Sequence, residues 1–499
     1  FFFKQKTAYE ISTRDWSSDV CSSDLFTEDV TKRFEACGWH VSTVKDGNDI
    51  EAIEKAIESA RKIKDKPKLI RIKTVIGFGM PKQGTSKAHS DAPGIDAVKE
   101  TKRNLGWPED KEFFVPQDVY SHFKKYVSKA IAAEKAWETL FAKYKSSYPI
   151  EAKEFGRMSA GKISAGWEKT LSGYVSREAK ATRAYSGEII NVLAEVVPQL
   201  IGGSADLTPS NNTFIKNSPA IQAGEYEGRN IHFGIREHAM GSLMNGMALY
   251  GGLIPFGGTF QTFSDYMRPA IRLAALSNIQ ALFVFTHDSI GLGEDGPTHQ
   301  SVEHIAAMRA IPNLAVIRPA DAEETREAWR AALLRTTGPT AFALSRQKVE
   351  VLDRKRLSKA DGLHKGGYVL SEARNSKGKE VNPRVVLIAS GSEVGIALRA
   401  SEILNSKGTP TRVVSMPCWE FFDAQPLQYR KKVLPENVVA KIAIEAGSSL
   451  GWAKYVGSDG IVMGVDKFGV SAPAEEVFAE YGFTVSNVIT SVQKLLKKR

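Results

Sequence analysis

Cysteine is scarce. The chain holds three, Cys21, Cys37 and Cys418, with no metal-ligand spacing between any pair and too few for a disulfide framework. Such thiol usage suits a reducing cytoplasm. No run of about 18 apolar residues occurs, so no hydrophobic membrane-spanning helix is expected. The N-terminal stretch lacks the apolar segment of roughly 7–15 residues that a secretory signal needs. Charge is not extreme either. The formal net charge is +10, which favours anionic ligands in a general way. The Lys and Arg are dispersed rather than striped with aromatics, so nucleic acid is not expected as a partner.

What is present is an ordinary globular composition, 42% hydrophobic and 25% charged over 499 residues, enough for about two to four domains with their own cores. Residues 1–25, FFFKQKTAYEISTRDWSSDVCSSDL, have no helical period and no sustained alternation. They read as a translated adapter sequence fused to a truncated frame and are set aside from the fold as foreign or disordered. From Phe26 the pattern is α/β: a helix over Thr27–Gly38, a strand over Trp39–Val44, a helix with Ile50, Ile53 and Ile57 on one face, and a strand over Leu69–Ile76. A long Gly-rich loop with His89 follows, then a helix over Val119–Tyr144.

Further on, strands recur at Leu200, before Gly257, over Ile279–Thr286, Ala315–Arg318 and Thr340–Leu344, with helices between them from Thr182, Glu237 and Ala320. The near-continuous apolar run Ile279–Thr286 is that of a parallel strand buried on both faces. A last set, Val385–Ala389, a helix through Leu404, Thr411–Met416, Val438–Glu445 and a helix over Val485–Lys497, forms another α/β unit.

Four stretches carry chemistry-bearing residues at strand ends, where open α/β sheets bind ligands. In GIREHAM, Glu237 opens an apolar helix whose Gly241 and Gly246 suggest close packing on a neighbour. A first-turn carboxylate can equally be a plain dipole cap. In GGTFQTFSDY, Phe260, Phe263 and Tyr266 stand three apart, a stripe that would ordinarily face a core. THDSIGLGEDGPTHQ sets His287, Asp288, Glu294, Asp295 and His299 among glycines, where a metal site is the rival reading. ALSRQ places Arg346 at a strand end. Ser390-Gly391-Ser392 before a helix could cradle a phosphate or simply start the helix.

These four strings, in this order and spacing, resemble those of transketolases, which use thiamine diphosphate, and the likeness runs from about Phe26 to the C-terminus. It implies consecutive open, mostly parallel-sheet domains of the thiamine diphosphate-binding type plus a C-terminal α/β domain. The implied divisions are 26–146, a remnant of the diphosphate-binding domain; 147–356, a pyrimidine-binding domain; and 357–499, a C-terminal domain. The implied reaction moves a two-carbon ketol unit from a ketose phosphate such as xylulose 5-phosphate to an aldose phosphate such as ribose 5-phosphate, in the pentose phosphate pathway.

By that likeness Glu237 engages the cofactor's aminopyrimidine, Phe263 stacks on it, Phe260 and Tyr266 wall the pocket, and Asp206 and His89 also face the cofactor. His89 and His299 would move hydroxyl protons. Asp295 and His299 would read the sugar, and Arg183, Ser210, His287 and Arg346 would hold its phosphate. The family is a homodimer with each active site at the interface, and Mg2+, Ca2+ or Mn2+ bridges the diphosphate. Its Gly-Asp-Gly metal motif does not occur in this sequence. The likeness is therefore read as N-terminally truncated, with no metal ligand to name and no turnover expected of the chain as it stands. Two other readings stay open: another thiamine-dependent enzyme, such as an oxo-acid dehydrogenase β-type chain or a formaldehyde-using ketol transferase, and a non-catalytic fragment that folds and dimerises.

Overall fold

The computed structural model describes residues 28–497; the set-aside stretch 1–25 lies outside them. The chain divides into two compact units, Phe1–Leu140 and Phe141–Arg499.

The described part of the first unit is thin. Asp49 caps the helix Ile50–Lys62 by accepting from the Ala52 N–H at 2.9 Å. That helix joins two parallel strands, β1 (His40–Val44) and β2 (Lys68–Ile72). The ladder ends four residues before the expected Ile76, because the chain turns away through Gly77 and Gly79, both at positive φ. Val44 and Ala60 are the buried apolar residues among those described up to Leu140. The helix Gln117–Ser147 carries Tyr120, Phe123, Tyr126 and Trp137 exposed. Two strands with so little core have low local stability. Limited proteolysis of the native chain is therefore expected to cut first before residue 141 and leave a persistent C-terminal fragment. Mass spectrometry of the fragments checks this, and first cuts within the larger unit would contradict it.

The second unit holds two sheets. The first is six-stranded and wholly parallel: β3 (Leu200–Ser204), β4 (Asn230–His232), β5 (Ile254–Phe260), β6 (Leu282–Thr286), β7 (Ala315–Ile317) and β8 (Thr340–Leu344), in the order β4-β3-β5-β6-β8-β7. Successive residues point to opposite faces. Thus Leu282 and Val284 join one core with Ile189 and Trp329 from the helices Thr182–Val196 and Ala322–Leu334. Phe283 and Phe285 join the other with Met240, Met244, Met267 and Ile271 from the helices Glu237–Tyr250 and Ser264–Leu276. Glycine is required where these layers meet. A Cβ on Gly257 of β5 would lie 2.4 Å from the Met244 sulfur, and one on Gly241 would lie 2.8 Å from the Ala270 Cβ. Gly246 has nothing within 4 Å of its would-be Cβ, so the close packing expected there is absent.

The second sheet is five-stranded: β9 (Tyr368–Ser371), β10 (Val385–Ala389), β11 (Thr411–Ser415), β12 (Ala440–Ile444) and β13 (Ile461–Met463), ordered β13-β12-β10-β11-β9 with β9 antiparallel at the edge. Val385 and Leu387 pack with the helices Glu393–Ser406 and Val485–Lys497 on one face. Val386 and Ile388 pack with Trp419 and Trp452 on the other.

Candidate active site

Because all six strands of the first sheet are parallel, their carboxyl ends share one edge, and five of them deliver the expected residues there. β3 leads to Asp206, β4 to Glu237, β5 ends at Phe260 and continues to Phe263 and Tyr266, β6 leads to His287, Asp295 and His299, and β8 leads to Arg346.

The β4 exit is a tight turn. Gly234 takes φ +69°, and a Cβ there would lie 2.1 Å from the Arg236 guanidinium. The helix then begins at Glu237, whose side chain is half-buried in the first turn, where the helix dipole favours a carboxylate. β4 and β5 flank β3, so their ends stand about 10 Å apart at ordinary strand spacing. Beside them lies a cleft of 740 Å³ lined by Ser204, Asp206, Thr208, His232 and Gly234 among others. Asp206 is exposed, with φ +59°.

The aromatic stripe is split between core and site. The Phe260 and Phe263 rings stack at 5.6 Å. Phe260 also lies 3.7 Å from the His287 ring, and Phe263 lies 5.5 Å from that of His299. Phe260 is buried, Phe263 half-buried and Tyr266 66% exposed, so the wall expected at Tyr266 is open in a single chain.

His287 is the most constrained of the site residues. It is buried and holds φ +60°, a region that residues other than glycine rarely adopt. Beneath it runs a buried chain that the sequence did not disclose. Ser204 Oγ donates to Asn211 Oδ1 at 2.6 Å, and Asn211 Nδ2 donates to Thr286 Oγ1 at 2.7 Å. Thr286 Oγ1 lies 2.8 Å from His287 Nδ1, and His287 Nε2 lies 3.3 Å from Arg183 Nη1. A guanidinium can only donate, so Nε2 accepts and the imidazole proton sits on Nδ1, directed at Thr286. Burial, then Arg183, Arg346 and His299, hold the His287 pKa down at about 3, so the ring is neutral at neutral pH. As pH falls from 6.5 toward 3 the unfolded chain takes a proton that the folded chain refuses, and stability falls through that window.

Arg183, near the start of the helix Thr182–Val196, also donates to the Ser210 carbonyl at 2.7 Å. Burial and the nearby Arg346 charge push its pKa down, and Asp295 opposes them. Arg183, Ser210, His287, Arg346 and Asp295 therefore belong to one neighbourhood, with an uncovered concentration of positive charge. His299 is half-buried, its Nδ1 3.0 Å from Thr298 Oγ1. His89 lies on the short helix Lys87–Ser90 of the first unit and is exposed.

The fold also places Asp288, Glu294 and the Ser390 turn. Asp288 does not face the loop's concavity. It is buried, and its Oδ2 accepts from Arg318 Nε at 2.8 Å. Glu294 meets the segment after β13 through its carbonyl, which accepts from Ser471 Oγ. Ser390-Gly391-Ser392 is no phosphate cradle, because the buried Arg318 and Glu393 side chains fill it and a Cβ on Gly391 would lie 2.7 Å from the guanidinium carbon. The rival metal reading of His287 and His299 gains nothing. Among the described residues the grouping with metal-ligand proximity is Asp265, Glu303 and His304, where His304 Nε2 is 3.2 Å from Asp265.

Three family descriptions match in order: "Transketolase, thiamine diphosphate binding domain" over residues 14–164, "Transketolase, pyrimidine binding domain" over 178–351 and "Transketolase-like TK C-terminal domain" over 366–484. A transketolase of Geobacillus stearothermophilus is 50% identical over 475 residues, which are 95% of this chain and 70% of that protein. Among solved structures, a transketolase from Leishmania mexicana superposes with a TM-score of 0.88 at 42% identity, covering 95% of this chain and 69% of that one. A Pichia stipitis transketolase in complex with sedoheptulose 7-phosphate gives 0.87 at 39%, covering 95% and 70%.

The open parallel sheet that carries these residues lies within the match to a pyrimidine binding domain, as in thiamine diphosphate enzymes. The chain belongs to the transketolase family, whose members are transferases that use thiamine diphosphate. No helix among the described residues is long and apolar enough to cross a membrane.

Proposed function

We propose that this chain supplies the pyrimidine-side and sugar-phosphate half of a ketol-transfer site, acting on phosphorylated ketoses and aldoses such as xylulose 5-phosphate and ribose 5-phosphate. The observation that carries this is the clamp. Arg183, at the start of the helix Thr182–Val196, and Arg346, after β8, bear on the buried neutral His287 that follows β6, beside the Phe260–Phe263 stack. An oxo-acid dehydrogenase β-type chain acts without a phosphate clamp and would have no use for these groups.

The residues present fit the aminopyrimidine end of thiamine diphosphate: a half-buried carboxylate at a helix start, an aromatic pair and an adjacent cleft. When bound, the cofactor supplies a carbon nucleophile at its thiazolium C2. Glu237 would share a proton with the pyrimidine N1′. Phe263 would stack on that ring, with Phe260 and Tyr266 excluding water, and Asp206 would face the cofactor from β3. A water-poor wall strengthens the carboxylate's hydrogen bond. His299, with His89, would move hydroxyl protons, and Asp295 would accept from a sugar hydroxyl. Arg183, Arg346, Ser210 and His287 Nε2 would surround the terminal phosphate. The divalent ion that bridges a diphosphate needs several oxygen ligands, and no residue of this chain is proposed for that role.

A homodimer in a reducing cytoplasm completes the proposal. Ile235, Leu243, Tyr250, Tyr266, Leu273 and Leu276 are all at least half exposed on the Glu237 turn and the two helices beside it. An apolar surface of this kind, continuous with the site, suits a second copy that would also cover Tyr266. The domains proposed are 26–146 for the diphosphate side, 147–356 for the pyrimidine side and 357–499 for the C-terminal part.

The clamp is tested on the chain itself. Arg346→Ala is expected to weaken ribose 5-phosphate binding by roughly 10–100-fold, the loss of a charge-assisted hydrogen-bond pair. Titration calorimetry measures it, with unphosphorylated ribose as the control. Equal losses for both sugars would show that Arg346 does not act on the phosphate.

A further inference from the structure

The segments that follow strands β10 and β13 contribute no expected site residue, yet they meet the loop 287–300 toward both ends, the first of them through Arg318. At the first end, Arg318 leaves β7 completely buried. Its Nε donates to Asp288, the neighbour of His287, and its Nη1 donates to the Ser390 carbonyl at 2.9 Å and to Glu393. At the other end, Gln300 is buried directly after His299, and its two amide N–H groups donate to the Gly293 carbonyl at 2.9 Å and the Val470 carbonyl at 2.9 Å, with the Ile290 carbonyl sharing one of them at 3.4 Å. The Gly293 and Ile290 bonds close the loop on itself, and the Val470 bond ties it to the segment after β13. Gly469 lies so close to Gln300 that a Cβ there would overlap the amide oxygen. Ser471 Oγ donates to the Glu294 carbonyl, one residue before Asp295.

These ties fall on backbone carbonyls and on residues adjacent to the sugar-facing groups, so they set where Asp295 and His299 stand without touching a ligand. A loop rich in glycine, with Gly293 and Gly296 at positive φ, is not rigid on its own account. The buried Gln300 amide and the exposed Ser471 hydroxyl, both spent on its carbonyls, fix its course. We propose that the C-terminal domain is a positioning element for sugar recognition, acting through Gln300 and Ser471 on the Asp295–His299 end of the loop. The proposal rests on reading that loop as the sugar-phosphate site.

The test uses the 499-residue chain and two probes, inorganic phosphate and ribose 5-phosphate. Inorganic phosphate reads the clamp alone, whereas the sugar phosphate also needs the Asp295–His299 end. Gln300→Met and Ser471→Ala are expected to weaken ribose 5-phosphate about 10-fold while leaving inorganic phosphate within about 2-fold, the tenfold loss being about 1.4 kcal/mol. Arg346→Ala is expected to weaken both probes. If Arg346→Ala changes neither, the sugar-phosphate reading fails. If it weakens both while Gln300→Met and Ser471→Ala weaken neither, or weaken both probes equally, the positioning role alone is overturned. A second measurement is independent of ligand. Amide exchange in residues 290–300 is expected to rise about 10-fold in both variants, with the strands β10–β12 unchanged. No change in that segment, or a rise throughout the unit, overturns the proposal.

Discussion

Glu237→Gln is expected to slow deuterium exchange at the cofactor's C2 by about 10²–10⁴-fold, the range of a positioned acid–base group. The measurement is made on this chain joined to the N-terminal diphosphate-binding residues of the Geobacillus relative, which this chain spans to 70% of its length. Glutamine keeps the size and the helix start of Glu237 but cannot share a proton with N1′. Cofactor affinity should fall far less than the exchange rate, because the aromatic stack and the cleft remain. An exchange rate equal to that of the unaltered protein would remove Glu237 from the role. A parallel collapse of affinity and rate would make it a binding residue only.

Arg318→Leu is expected to cost the larger unit about 3–5 kcal/mol of stability, the usual penalty for stranding buried charges. Arg318 is fully buried between the carboxylates of Asp288 and Glu393. A second guanidinium, Arg309, pairs Glu445 at 2.7 Å and lies 3.9 Å over the Trp419 ring. The cluster thus sets two cations against three carboxylates. Burial pushes the Glu393 carboxyl up, although Arg318 opposes it. Burial also opposes the Glu445 charge, but Arg309 and Arg318 prevail and hold that carboxyl at about 2. Removing Arg318 leaves Asp288 and Glu393 without their cation. Urea unfolding followed by tryptophan fluorescence measures the loss, since Trp419 and Trp452 pack beside the cluster. Arg318→Lys, which keeps the charge but not the fork, should lose less. Equal losses from both would show that the planar hydrogen bonds, not the charge, hold the junction.

Much of the site was legible because it is local. GIREHAM, GGTFQTFSDY and THDSIGLGEDGPTHQ each run from a strand end into a turn, so their chemistry is contiguous in the chain. The apolar run Ile279–Thr286 before His287 reads as a strand buried on both faces, and β6 is one over Leu282–Thr286. What was not legible depends on residues far apart in sequence. Asn211 under Thr286 and His287 is one case, 75 residues from its partner. Asp288 is another. In the sequence it stands among the loop's acids, but in the fold it is taken by an arginine 30 residues on. Ser390-Gly391-Ser392 left two readings open, a phosphate turn or a helix start, because nothing nearby announces that Arg318 and Glu393 fill it.

The sequence by itself determined the period of each strand and helix, the places where glycine lets the chain turn, and which acids, histidines and arginines sit at strand ends. Those follow from backbone sterics and side-chain alternation over a few residues. Only the tertiary structure decided which of those groups stay open along the carboxyl edge of the sheet and which are consumed as structure. Arg346 and Arg318 both follow strands of one sheet, yet Arg346 is exposed on the loop side and Arg318 is wholly buried between carboxylates. The physical reason is desolvation. A charge removed from water must find its counter-charge wherever packing places one, and packing is set by the whole core rather than by the neighbours in the chain.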